Sequence, residues 1–303
     1  MASKLNEIVR DAVRSRRLHG AFHARALLKI FAQLEGWDRA VEKRKVRTRK
    51  ILIAGFIALF VSLFGLMILA GAAGIHELIV PLVCLFVLSA AAIFGSWRMR
   101  KQALAADLAD ELRTTILPVL LHLLNDLDPK VKIRVNLDLC TLNEEKMDES
   151  SQASSGGRRG TTTVNQFSEP LGSLRLPLAN GNTMILQLRN HYKQAVRSYR
   201  SSSGKSKRKE KWKKTSKVTG IFIPNKPVAW GDRSMKSFVD PKQESLRFKD
   251  VGGVTTARID RRFRFQKAGQ QPSDVVPSAD VMSILVRLAA MGHKGIQGAK
   301  GGR

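Results

Sequence analysis

Two long apolar runs dominate the pattern of hydrophobic and polar positions along the chain. The first covers residues 51 to 73 and the second residues 79 to 97, and neither contains Asp, Glu, Lys or Arg. Each has about the ~20 residues that a helix needs to cross the hydrocarbon core of a bilayer. The few residues between them allow only a tight turn. The pattern therefore predicts a hairpin of two antiparallel transmembrane helices.

The basic residues around this hairpin predict its orientation. Lys and Arg are frequent before the first run and after the second, and the connecting turn has neither. By the positive-inside rule, both termini are expected in the cytoplasm, with the hairpin in the inner (plasma) membrane. The basic residues on the two sides are Arg39, Lys43, Arg44, Lys45, Arg47, Arg49 and Lys50 before the hairpin and Arg98, Arg100 and Lys101 after it.

Small residues four positions apart suggest how the spans pack. Ala70 with Gly74 and Ala91 with Gly95 would let two helix backbones approach closely, within the hairpin or between protomers. Self-association through the hairpin is therefore one expectation. Because neither span carries an ionisable residue, the pattern favours an anchor over a pore.

The segments that flank the hairpin carry helical periodicity. Apolar residues recur every three or four positions between residues 4 and 35, with Arg and Lys between them, so residues 1–50 are predicted as a basic amphipathic helical segment that Gly20 could divide. This segment could lie on the bilayer or pack on the protein. A leucine stripe over residues 98–128 predicts a cytoplasmic helical stalk, in which Pro118 should produce a kink.

After residue 129 the period changes to two, which is typical of strands. Ile133, Val135, Leu137 and Leu139 alternate with polar residues, as expected for a half-buried antiparallel strand. About six strands are predicted in a cytoplasmic β-rich domain over residues 129–270, including strands near 218–223, 245–249 and 254–265. Loops are predicted at 143–163 and 201–217, and a short helix with a Gly-rich flexible tail at 271–303. The fold class is thus an α+β membrane protein.

The register of one hairpin can be predicted from its apolar residues. A three-residue loop over 180–182 would place Leu178 opposite Met184 and Leu174 opposite Leu188, so that apolar side chains meet. A two-residue loop would mix the two faces of the hairpin. The three-residue loop is therefore expected.

The charge of the chain indicates which class of partner it binds. The chain of 303 residues has a net charge of +27, which favours polyanionic partners. The sharpest local concentration is Lys205 to Lys217, which contains Trp212. It could bind anionic lipid headgroups with the indole in the interface, bind nucleic acid with the indole on a base, or be a solvated loop. The candidate residues are Arg197, Arg200, Lys205, Lys207, Arg208, Lys209, Lys211, Trp212, Lys213, Lys214 and Lys217.

The sequence carries no recognisable signature of catalysis. No paired carboxylates, nucleophile with a nearby His, or phosphate-binding glycine loop occur at useful spacing, so no catalytic or cofactor residue is predicted. His19 and His23 have a metal-ligand spacing on a predicted helix, but the arginines around them disfavour a cation. Cys84 and Cys140 are not expected to form a disulfide, since they are predicted in different environments.

These observations favour a membrane-anchored cytoplasmic interaction or scaffold protein. Its basic β-rich domain would engage an anionic membrane surface or, less favoured, a nucleic acid. Two alternatives stay open: a membrane-tethered enzyme with a β-rich catalytic domain, and a homo-oligomeric pore or membrane-disrupting effector.

Overall fold

The chain forms two compact units in a computed structural model, one from residues 33–108 and one from residues 1–32 with 109–303. The helices are α1 (Ala2–Ser15), α2 (Ala24–Ala70), α3 (Ile79–Ala105), a π-helical turn (Leu112–Ile116) followed by α4 (Leu117–Leu123), and α5 (Ser278–Lys300). The strands are β1 (Arg17–Phe22), β2 (Ile133–Asp138), β3 (Ser151–Gly157), β4 (Gly160–Pro177), β5 (Thr183–Arg200), β6 (Ser206–Ile223), β7 (Glu244–Val251) and β8 (Val254–Ala268). The residues described are 2–70, 79–139, 151–157, 160–226, 228, 239–240, 243–251, 254–268 and 274–300.

The unit of residues 33–108 contains two helices that are long and apolar enough to cross a membrane. Only 11% of the apolar window in each is buried within the chain, so most of this surface is uncovered. The helices meet at glycines. A Cβ at Gly55 would lie 2.9 Å from Ile93 Cγ1, and one at Gly65 would lie 3.1 Å from Leu82 Cδ2. The contacts run in opposite directions along α2 and α3, as expected for an antiparallel pair.

The small-residue spacing predicted for this contact is not the one observed. A Cβ at Gly95 would meet nothing within 4 Å, and Gly74 lies outside the described residues. The predicted Ala91–Gly95 pair therefore does not form the contact between α2 and α3. At the other end of the pair, Lys45 Nζ lies 2.6 Å from Asp107 Oδ1.

The helical prediction for residues 4–35 is wrong in its middle, where the chain forms β1. Leu18 pairs with Leu137 and is 2% exposed, and Phe22 pairs with Ile133. Pairing with β2 satisfies backbone groups and buries Leu18, and this tertiary gain outweighs local helix propensity. His19 lies in this strand, so the helical spacing between His19 and His23 is absent.

The predicted stalk is likewise interrupted. α3 ends at Ala105, and the Ala109 N–H donates to the Leu139 carbonyl oxygen at 3.1 Å, beyond the end of β2. Helical structure resumes at residue 110, and Pro118 lies just after the π-helical turn in a helical run that continues to Leu123. Pro118 therefore follows the break and does not cause it.

The second unit is built on one antiparallel sheet, which confirms the α+β class. Its strands follow the order β1-β2-β4-β5-β6-β8-β7, and β3 pairs with β4 beside this path. In β2 the predicted alternation is observed, since Ile133, Val135 and Leu137 are buried and the residues between them are not. The predicted loop at 201–217 is largely strand, because β6 begins at Ser206. Residues 151–157 and 160–163 of the other predicted loop are also strand.

The β4–β5 hairpin has the predicted faces but a different register. Leu176 pairs with Met184 and Leu174 with Leu186, two residues from the predicted pairing. The turn is longer because the Leu178 N–H donates to the Asn182 carbonyl oxygen at 2.8 Å and closes five residues. A shift of two residues keeps every side chain on its face.

A bulge divides β4 between Pro170 and Gly172. Gly172 has φ +128°, and a Cβ there would lie 2.1 Å from the Asn136 carbonyl oxygen, so only glycine fits beside β2. Side chains on the two sides of the bulge follow opposite parity. Phe167 and Glu169 are buried before it, and Leu174 is buried after it.

One face of the sheet is covered by the π-helical turn, α4 and α5. A Cβ at Gly220 of β6 would lie 2.6 Å from Leu288 Cδ1, and one at Gly292 would lie 2.4 Å from the Phe222 ring. Helix α5 thus packs directly on the backbone of β6. It continues to Lys300, which differs from the flexible tail predicted there.

Candidate functional site

Strand alternation gives β5, β6 and β8 two chemically different sides. Met184, Leu186 and Leu188 of β5 are buried under the helices, and the residues between them are not. We call the opposite side the open face; it consists of the odd-numbered residues 187–199 and 207–219 and the even-numbered residues 258–266. Its basic side chains are Arg189, Lys193, Arg197, Lys207, Lys209, Lys211, Lys213, Lys217, Arg258, Arg262 and Arg264.

Cations stand directly opposite one another on this face. Arg189 pairs with Lys217, and Lys217 pairs with Arg262, so one row of positive charge crosses three central strands. Lys193 also pairs with Lys213. Side chains in such pairs have Cβ atoms roughly 4.5–5.5 Å apart, and like charges at that spacing destabilise a sheet. The open face therefore concentrates charge at a cost to the fold.

The acidic side chain that these strands place on the open face, Asp260, is already engaged. Asp260 accepts from Thr219 Oγ1 at 2.5 Å and from Arg258 Nη2 at 3.1 Å, and it lies 3.5 Å from Lys217 Nζ. Burial alone would raise the pKa of Asp260, but the hydrogen bonds from Thr219 and Arg258 and the nearby positive charges hold that pKa below its usual value. Asp260 is thus a fixed carboxylate that neutralises only part of the face.

His191 reports the positive potential at the centre of the open face. Its pKa is lowered by partial burial and then by the charges of Arg189, Lys217 and Arg262. The imidazole therefore tends to stay neutral in the absence of an anion. A bound anion would oppose this effect.

Grooves run along the open face beside these cations. One of about 610 Å³ is lined by Arg247, Arg262 and Arg264 together with the carboxylates of Glu244 and Asp260. Another of about 350 Å³ is lined by residues that include Arg189 and His191. Lys217 lines both grooves. The arrangement can hold several negative groups along one surface.

The far end of the β5–β6 hairpin adds an aromatic ring to this surface. Tyr199 lies under two cations, with Arg197 Cζ 5.7 Å and Lys209 Nζ 5.8 Å from its ring centroid. The ring is half-buried and lines a groove of about 910 Å³ with Arg197 and Lys207. It is the aromatic side chain that the open face presents on β5.

The helix-covered side holds a different charged cluster, which the sequence did not indicate. Lys214 Nζ donates to Glu111 Oε1 at 2.9 Å and to the Asp274 carbonyl oxygen at 2.7 Å. Asn190 Nδ2 also donates to Glu111 Oε1, at 3.0 Å, and Tyr192 donates to Glu169 Oε2 at 3.3 Å. Burial, with the charges of Glu169 and Glu111, raises the pKa of Tyr192.

This cluster is structural in character. Its side chains, from Glu111, Glu169, Asn190, Tyr192 and Lys214, belong to residues that are at most 8% exposed. Their polar atoms bond to one another across β4, β5, β6 and the start of the π-helical turn. Such mutual satisfaction is what a buried polar network requires. It joins the segment before α5 to the sheet and does not present a reactive group to solvent.

The predicted basic residues therefore divide among several environments. Six lie on the open face, Lys205 lies in the turn, and Arg200 and Arg208 lie on the other side of the hairpin. Trp212 and Lys214 are buried, so neither is available to dip into a bilayer or stack on a base. Trp212 stacks on Phe167 with ring centroids 6.1 Å apart, and its Nε1 donates to Glu210 at 2.5 Å. The six on the open face are Arg197, Lys207, Lys209, Lys211, Lys213 and Lys217.

Arg197 of β5 was predicted for this surface, but the other basic residues of β5 on it, Arg189 and Lys193, were not. Arg189 and Lys193 continue the alternation of Met184, Leu186 and Leu188, which was the available signal. In β6 the alternation is disguised, because buried Lys214 and Ser216 occupy positions where apolar residues would be expected.

Comparisons with protein-family models, with curated proteins and with solved structures gave no match. Among the described residues, no group of three or more His, Cys, Asp or Glu side chains could hold a metal ion.

Proposed function

We propose that this chain is a membrane-anchored protein whose basic β-rich domain binds a polyanion on the open face. The observation that carries the proposal is the row Arg189–Lys217–Arg262, in which three cations occupy directly paired positions. A row of like charges is unfavourable in the free protein and becomes favourable when an anion lies across it. The partner is an anionic membrane surface or another polyanion.

Membrane anchorage rests on the hairpin of α2 and α3. The exposed sides of these helices carry large apolar residues such as Phe60, 67% exposed, and Met67, 71% exposed, which water solvates poorly. Lys and Arg flank the hairpin and are absent from its turn, which favours cytoplasmic termini in an inner membrane. Resistance of the chain to alkaline extraction would support membrane anchorage. Reporters fused to the two termini should be active only in the cytoplasm. Extraction into the soluble fraction would refute membrane anchorage.

The binding part is tested with the full chain in nanodiscs of neutral lipid, using heparin and, separately, anionic vesicles. We expect binding to at least one of them, weakened by salt. The variant R189Q/K217Q/R262Q should lose about tenfold or more in affinity, since each removed contact contributes on the order of 1 kcal/mol near an anionic surface. Absence of binding to both partners at low salt would overturn the proposal.

A further inference from the structure

The lysines of β6 form a single row along one strand. Lys207, Lys209, Lys211, Lys213 and Lys217 occupy the alternate positions of the open face from 207 to 217 except 215, which is Thr, and the first four are exposed. Alternate residues of a strand repeat roughly every 6.6 Å, so the row extends over roughly 33 Å. We call these five residues the lysine row.

Cations on both neighbouring strands flank the lysine row. Arg197 pairs with Lys209 and Lys193 with Lys213 on the β5 side, and Arg262 pairs with Lys217 on the β8 side. The positive charge thus follows the direction of β6 for most of its length. A linear chain of regularly spaced negative charges matches this shape.

The exposed apolar residues of the same unit do not favour a bilayer as the occupant. A surface that docks on lipid generally combines basic residues with apolar side chains that enter the interface. The large apolar side chains that are exposed in the described part of this unit are Leu121, Val131 and Val286, and none lies on β5, β6 or β8. A bilayer would meet the open face through charge alone.

Tyr199 supplies an aromatic ring on which a nucleic-acid base can stack. Its ring lies at the turn end of the lysine row, with Arg197 Cζ 5.7 Å and Lys209 Nζ 5.8 Å from the ring centroid. An aromatic ring beside a basic track is the arrangement by which proteins bind single strands, with bases stacked on the ring and phosphates on the cations.

We propose that the lysine row binds single-stranded nucleic acid, holding successive phosphates along β6 while a base stacks on Tyr199. The inference rests on the proposed function, because it names the polyanion that the open face takes. With one aromatic ring and many lysines, the contact is to the backbone and does not read sequence. The protein would therefore hold single-stranded nucleic acid at the membrane without selecting its sequence.

The test measures binding of a labelled oligouridylate to the full chain in nanodiscs of neutral lipid. The row variant is K207Q/K209Q/K211Q/K213Q, and the matched control is K130Q/K132Q/K226Q/K249Q. The control removes the same charge from exposed positions away from the lysine row. Both variants are first compared with the parent chain by circular dichroism, since all eight positions are exposed and should tolerate Gln.

We expect the row variant to bind about tenfold or more weakly and the control to change little. The slope of log affinity against log salt should become shallower by roughly 0.7 for each phosphate contact that is removed. Tyr199→Leu should weaken binding by roughly fivefold or more, as expected when one stacked base is lost.

Three outcomes would overturn the inference. Equal losses in the row variant and the control would show a general charge effect in place of a row. Binding of anionic vesicles without binding of the oligouridylate would remove nucleic acid as the partner and leave the proposed function intact. Binding of neither, with no heparin binding, would remove both.

Discussion

Lys214 and Lys217 lie three residues apart on β6, yet they occupy opposite sides of the sheet and opposite physical situations. Lys214 is 3% exposed and bonds to Glu111 under the helices, whereas Lys217 faces Arg189 and Arg262 on the open side. The buried lysine has a partner for its charge within the fold. The open-face lysine has Asp260 at 3.5 Å but stands among more cations than acids. A lysine run in a sequence can therefore alternate between residues that are buried in the fold and residues on an open surface.

The largest effect should follow from removing the buried charge. Lys214→Met leaves the Glu111 carboxylate buried without its cation, which is expected to cost about 3–5 kcal/mol of unfolding free energy. Lys213→Met, on the open side of the same strand, should cost less than about 0.5 kcal/mol. Chemical unfolding of the detergent-solubilised chain measures both, and equal costs would contradict the difference between the two sides.

A double variant sharpens this result. Lys214→Met combined with Glu111→Leu removes both charges, so it should be more stable than Lys214→Met alone. Asn190 keeps a neighbour in Tyr192, at 3.3 Å, when Glu111 is replaced. A double variant that is as unstable as the sum of the single changes would indicate that the two residues act independently.

A smaller effect of opposite sign is expected on the open face. Arg262→Gln removes one like-charge pair, with Lys217, so it should stabilise the free chain by about 0.2–1 kcal/mol at low salt. The gain should shrink as salt screens the repulsion. A loss of stability at low salt would mean that the row is not a source of repulsion.

The smallest effect concerns pH. Because the pKa of folded His191 lies below its ordinary 6.5, the unfolded chain binds more protons in that range, and stability falls as pH drops through and below 6.5. A bound polyanion offsets the charges of Arg189, Lys217, Arg262 and nearby Arg264, so His191 should take up a proton on binding. Affinity should rise a few-fold between pH 7.5 and 5.5, measured by titration.

His191→Gln provides the control for this pH dependence. His191 lies opposite Ser168 on β4 and opposite Thr215 on β6. Neither of these side chains titrates in this range. If the variant keeps the full pH dependence, the effect belongs to the ligand or to other groups.

The sequence predicted those parts of the fold that a local pattern determines. The apolar runs of α2 and α3 and the alternation in β2 needed no knowledge of distant residues. β1 could not be found in this way, because its stability comes from pairing with β2, more than 100 residues later in the chain. The break after α3 also depends on a distant partner, the Leu139 carbonyl that receives the Ala109 N–H.

Only part of the candidate site could be predicted from the sequence, because the rest depends on residues that are distant in the chain. The basic stretch of β6 could be recognised in the sequence. Its division between the two faces of the sheet could not, because the lysines hide the alternation that identifies a strand. The contributions of Arg189 and Arg262 depended on register between strands. Glu111 and Lys214, separated by 103 residues, could be joined only by the fold.

The bulge at Gly172 has a consequence for chain length. Because it reverses the parity of β4, removing one residue there would turn either Phe167 and Glu169 or Leu174 and Leu176 toward solvent. Substitutions elsewhere in β4 change one side chain at a time, but a single deletion at this position would exchange the two surfaces of half a strand. Insertions and deletions in β4 should therefore be tolerated only in compensating pairs, even where individual residues vary freely.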